Sequence, residues 1–155
     1  MSDRSTVVYY YDGSYDGFLC CVFESFSEKE QPAAIYDMYT ADQLSLFGAK
    51  MIETTPALAL RVRDSIPNKM GLEAQDLLEK AFLTCLRDKE LCMLRFMRLG
   101  YKVGRGICSR MTEPAVDTLL KAVKHLEREA HLYLGFVRFS ECGGVLISEI
   151  EPKNN

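Results

Sequence analysis

The densest group of side chains able to do chemistry is HLEREAH, residues 125–131. His125 and Glu129 are four apart, as are Glu127 and His131, so on a helix each pair shares a face and could bridge a metal ion or pass a proton. Two ligands fall short of a metal site, and the same spacing describes solvated i,i+4 charge pairs. No metal or cofactor is expected. These are the only two histidines in the chain, so a His-dependent mechanism must use one of them. A second group, Arg95, Arg98, Lys102, Arg105 and Arg110, lies in a stretch with no acid between Glu90 and Glu113. It is interleaved with Phe96, Tyr101, Gly100, Gly104, Gly106 and Ser109, a composition that a nucleic-acid backbone can use through charge and backbone amides. A helix end whose cations complement the helix dipole has the same composition. The glycines of LGYKVGRG fit neither the dinucleotide fingerprint nor the phosphate loop of nucleotide hydrolases. GxSxG, HExxH and the cysteine runs of iron–sulfur proteins are missing, so the common enzyme classes are not visible.

The elements that would position these groups follow from periodicity. Val7 to Tyr11 is a β-branched and aromatic run closed by Asp12-Gly13, a strand and tight turn. Ser14 stands at an N-cap position, and Phe18, Leu19, Val22, Phe23 and Phe26 predict a helix over 15–27. A weak strand is expected at Ala34 to Tyr39. Thr54 or Thr55 with Pro56 starts a helix ending at Pro67, and Leu77, Leu78, Ala81, Phe82, Cys85 and Leu86 predict another over 72–87. A further helix is expected from Leu91 to Leu99, stopped by Gly100. Thr112 then caps the longest helix, which reaches about Leu134 before Gly135. Two β-rich runs around Gly143-Gly144 read as a hairpin. The expectation is one α+β domain over residues 1–155, a helical middle with a small antiparallel sheet formed from N- and C-terminal strands. The strand at Val145 to Glu151 leaves an uncovered edge, which predicts pairing with a second copy or a partner chain.

Composition sets the bounds. A 155-residue chain with 48% hydrophobic and 26% charged residues is an ordinary globular domain. The net charge of −3 divides unevenly: residues 1–60 carry nine acids and three bases, a net −6, and the remainder is +3. Contact with a polyanion is therefore open to one face only. The sequence has no apolar run long enough for a membrane span, and its first residues lack the core of a signal peptide. Cysteines at 20, 21, 85, 92, 108 and 142, with no CxxC, suit reduced thiols and a cytoplasmic location.

YYYDGSYDGFLCCVFESF, AFLTCLRDKE, LRFMRLGYKVG and EREAHLYLGFVRFSECGGVLISEIEPKNN together resemble a bacterial family described as DNA metabolism proteins. That family is a domain of unknown function, encoded beside a radical-SAM protein of DNA modification or repair and in some bacteria fused to a uracil-DNA-glycosylase-like domain. The resemblance places its motif positions at Tyr11, Asp12, Gly13 and Phe18, and at Glu129, His131, Gly135, Phe136, Arg138 and Phe139. It implies no catalytic role for them. It also implies that family members continue past the EPKNN segment, so this chain is expected to be C-terminally shortened relative to them. Three functions follow as expectations: an accessory protein that binds DNA or docks the radical-SAM partner; a DNA-processing enzyme, nuclease or base-processing, built on Glu129, His131 and Arg138; or an interaction or dimerisation module without nucleic-acid contact. In the enzyme reading, Arg138 and His131 form a cationic or proton-transfer corner near Lys102 and Arg105. Structural roles for the same two side chains, satisfying carboxylates or carbonyls, are the alternative.

Overall fold

A computed structural model describes residues 7–41, 48–136 and 138–154. The chain opens with strand β1 (Val8–Tyr11) and helix α1 (Tyr15–Ser27), followed by strands β2 (Ala34–Asp37) and β3 (Ala49–Met51). Helices α2 (Pro56–Met70), α3 (Leu72–Phe82) and α4 (Lys89–Val103), a 3-10 turn at Ile107–Ser109 and helix α5 (Pro114–Phe136) form the middle. Strands β4 (Ser140–Cys142) and β5 (Val145–Ile147) close the described chain.

The fold class is α+β, with a small antiparallel sheet near the C-terminus, but the strands from the two ends do not meet. The N-terminal sheet has the order β2-β1-β3, and both pairings are parallel, Val8 lying opposite Ala34 on one side and Ala49 on the other. The antiparallel sheet is the β4–β5 hairpin alone, with Glu141 opposite Leu146. The physical reason lies in β1 itself. Tyr9, Tyr10 and Tyr11 are all buried although successive side chains point to opposite faces. A strand covered on both faces is the central strand of a parallel sheet.

Residues of α1 to α5 supply most of the core: Phe18 and Leu19 from α1, Ile66 from α2, Leu78 from α3, Met93, Phe96 and Met97 from α4, Leu119 from α5. Ser14 caps α1 as its position predicts, its Oγ accepting from Gly17 N at 2.9 Å. Helix α2 continues past Pro67 to Met70, because Ile66 and Met70 lie one turn apart and both are buried. Helix α3 ends at Phe82, short of the expected 87. Lys89 Nζ donates to the Phe82 carbonyl at 2.6 Å and satisfies one of the acceptors a helix end leaves open. Gly100 does not end α4. It is buried inside the helix where a Cβ would collide with Met70 of α2, so the glycine permits close helix approach, and Gly104, at φ +81°, terminates the helix. At the start of α5, Glu113 rather than Thr112 precedes the first helical residue, its carbonyl accepting from Asp117 N at 3.0 Å. The helix then runs through Gly135. Its buried residues, Val116, Leu119 and Val123, all lie in its first half, so the second half extends past the core.

Candidate functional site

The residues singled out by type fall into three places. On the second half of α5, Glu129 turns toward the returning chain end. Its carboxylate accepts from Lys153 N at 2.8 Å, from Asn154 N at 3.1 Å and from Asn154 Nδ2. The Lys153 amide first, and Asn154 after it, hold the Glu129 carboxyl below its ordinary pKa. Asn154 is buried, and its Oδ1 accepts from Cys85 N at 2.7 Å between α3 and α4. Tyr133 OH donates to the Glu151 carbonyl at 2.9 Å. Glu129 is thus a clamp for the segment 151–154, accepting three bonds from backbone and amide donors. His131 is two residues on, about 200° around the helix from Glu129. It is exposed along a shallow depression with Lys124, Glu127, Arg128 and Leu132. Arg138 is exposed beyond the helix end. Glu129 and His131, two of the candidates of the enzyme reading, therefore point to different sides of the helix. Glu127, paired with His131 by spacing, forms its ion pair with Lys80 of α3 at 2.9 Å.

The cations of the basic segment are exposed, with one exception. Arg98 turns inward. Its guanidinium donates to the Ser25 carbonyl at 3.3 Å, to Ser25 Oγ and to the Glu30 carbonyl, and it lies 4.8 Å from the centroid of the Phe26 ring. This arginine ties α4 to the C-terminal end of α1. Arg95, Lys102, Arg105 and Arg110 are exposed, and none of them is ion-paired or hydrogen-bonded through its side chain among the described residues. Lys69 at the end of α2 joins them: its carbonyl lies beside Gly104, and the Arg105 side chain lies beside Gly71. By contrast, Lys50 is held by Glu24 and Glu30, Lys121 by Asp117, and Arg63 by Asp16. The loop after α4 is fixed by the buried Ile107 and Cys108, and burial pushes the Cys108 thiol up to about 11. The aromatic residues of the segment do not share the surface. Phe96 is fully buried, and Tyr101 packs edge-on to Phe26 at 5.4 Å while its hydroxyl meets Ser65 Oγ at 2.6 Å. The face offers cations without stacking platforms.

A third constellation lies where β1 meets α1, the YDGSYDG turn. Asp12 Oδ1 accepts from Ser14 N at 2.9 Å and Ser14 Oγ at 2.6 Å, and Oδ2 accepts from Thr54 Oγ1 at 2.7 Å. Burial works against ionisation of Asp12, but these donors outweigh it and hold its carboxyl below the ordinary range. The two glycines have definite tasks. Gly13, at φ +78°, leaves room for the Asp37 carboxylate, and Gly17 leaves room for that of Asp12. Tyr11 OH donates to Glu90 at 2.7 Å, joining the strand to the start of α4. Thr54, Asp37 and Glu90 were not legible as parts of this cluster, because only the parallel register brings the carboxyl ends of β1, β2 and β3 together. In open parallel sheets this edge is where ligands usually sit. Here its carboxylates are engaged in bracing the turn.

Residues 87–155 match the family model of a domain of unknown function, DUF4130. That span is less than half of the chain and includes α4, the basic loop, α5 and the hairpin, while the YDGSYDG turn lies outside it. No curated protein and no solved structure matches the chain.

Proposed function

We propose that this chain is an accessory domain of DNA metabolism that holds nucleic acid by its phosphate backbone on the face formed by Arg95, Lys102, Arg105 and Arg110, with Lys69 at its margin. The observation that carries the reading is that these four exposed cations, none ion-paired or hydrogen-bonded through its side chain among the described residues, fall within one stretch, 95–110, that holds no acid. Unpaired cations on a fixed surface release counterions when they meet phosphates, and that release supplies most of the free energy of sequence-independent binding. With Phe96 and Tyr101 packed inward, the face has no aromatic with which to read or stack on bases, so binding is sequence-tolerant. The DNA setting itself, and a radical-SAM protein as the enzyme it serves, come from the family resemblance. The separation of Glu129 from His131, and the engagement of Glu129 by the chain end, favour the accessory role over the DNA-processing enzyme. Fluorescence anisotropy with labelled single- and double-stranded DNA tests it: binding that weakens with salt and is lost on Lys102→Glu with Arg105→Glu is expected. Absence of binding at low salt refutes it.

A further inference from the structure

The C-terminal arm exposes more apolar surface than the rest of the molecule explains. On the last turns of α5, Leu132 and Leu134 are 56% and 85% exposed; beyond the helix Phe139, Val145, Leu146, Ile147 and Ile150 are all exposed. Successive residues of β5 point to opposite faces, so the exposure of Val145, Leu146 and Ile147 means that neither face of the hairpin is covered. An isolated two-stranded hairpin is marginally stable in water, and this one has three residues per strand. Its turn is well made, with Gly143 and Gly144 both at positive φ as a type I′ turn requires. Among the described residues the arm is thus a formed element with two open edges and two bare faces.

We infer that β5 pairs antiparallel with β5 of a second copy, Leu146 facing Leu146 across a twofold axis, to give a four-stranded sheet. Three observations select this occupant and this edge. In that register Val145 of each copy lies opposite Ile147 of the other and Gly143 opposite Glu149, so no like charges meet. The other edge is less suited, because β4 paired on its central residue, as β5 is here, would set Glu141 directly against Glu141. Third, the exposed apolar area sets an upper bound of the order that a dimer contact uses. Allowing about 150–200 Å² for each large apolar residue at full exposure, the seven named above present roughly 700 Å². A standard interface buries about 800 Å² on each partner, and interfaces between identical copies are the more apolar kind. A symmetric edge pairing is closed, so assembly stops at the dimer.

The test uses the complete chain under reducing conditions, which removes Cys85 and Cys142, both exposed, as a source of covalent dimers. Sedimentation velocity across a concentration series is expected to show a reversible dimer. Leu146→Lys and Leu146→Glu, each at an exposed position that leaves the core intact, are expected to raise the dimer dissociation constant at least about tenfold. Mixing the two variants is expected to restore association, because the opposite charges then face each other at the axis. A monomer at all concentrations overturns the proposal. So does a dimer that both variants leave unchanged, or a failure of the mixture to associate, since either places the contact elsewhere. Association only with a different protein would assign the arm to that partner and equally overturn it.

Discussion

Removing cations from the basic face should change the salt dependence of DNA binding by an amount set by how many are removed. Arg95, Lys102, Arg105 and Arg110 supply four exposed, unpaired charges. If each neutralises one phosphate of duplex DNA, the logarithm of the binding constant falls with the logarithm of salt at a slope of about −3.6. Between 50 and 200 mM salt that is a loss of roughly 150-fold in affinity. Neutralising Lys102 and Arg105 to Gln halves the slope to about −1.8 and cuts the same loss to roughly 12-fold, while lowering affinity at 50 mM. Anisotropy titrations of a labelled 20-mer duplex at several salt concentrations measure both slopes. Arg98→Gln is the internal control. Because Arg98 is spent on Ser25 and Glu30, its substitution should lower stability and leave the slope unaltered in the folded fraction. An unchanged slope in the Lys102/Arg105 variant, or a slope that tracks Arg98 instead, would refute the assignment of charge to this face.

Other consequences are independent of nucleic acid. Arg98→Ala removes the charged donor that the carbonyls of Ser25 and Glu30 share, leaving them only the Glu30 amide and the Ser25 hydroxyl, and should destabilise the fold by about 1–2 kcal/mol, read from the urea midpoint. Asp12→Asn should cost about 1–3 kcal/mol at neutral pH. Because the Asp12 pKa is lower folded than unfolded, the stability it confers is full above the ordinary carboxylate range and is lost as pH falls through the lowered value, so the variant should show a shallower acid limb in urea melts. Gly100→Ala should destabilise by about 1–3 kcal/mol through collision with Met70, and Met70→Ala in the same chain should relieve that collision while leaving its own cavity cost, so the two changes should prove non-additive in thermal melts.

What could be read from the sequence was local. Ser14 as the cap of α1 and the glycine pair of the hairpin follow from side-chain chemistry within a few residues, and each stands where expected. What could not be read was set by partners far along the chain. Strand β3 is Ala-Lys-Met, with no β-branched or aromatic residue to announce it, and exists because β1 offers it a free edge. Three tyrosines in succession mark a strand, but that both its faces are covered depends on the strands and helices packed on either side. Arg98 resembles its neighbours in every local respect. Only the fold brings Ser25 and Glu30 within its reach. The same holds for Gly100, whose role depends on the approach of Met70.

The contact between Asn154 and Cys85 spans 69 positions and joins the end of the segment that matches DUF4130 to a residue just before its start. That segment is therefore a noncovalent ring, closed by one asparagine. Closing a loop of this length from an open chain costs on the order of 4 kcal/mol, whereas each hydrogen bond at the closure returns about 1 kcal/mol. The closure holds because α4 and α5 are already packed against each other and against α3. The ring can accordingly open at its fastening while the helices stay folded, which makes residues 151–154 the place where hydrogen exchange should first set the C-terminal arm apart from the core.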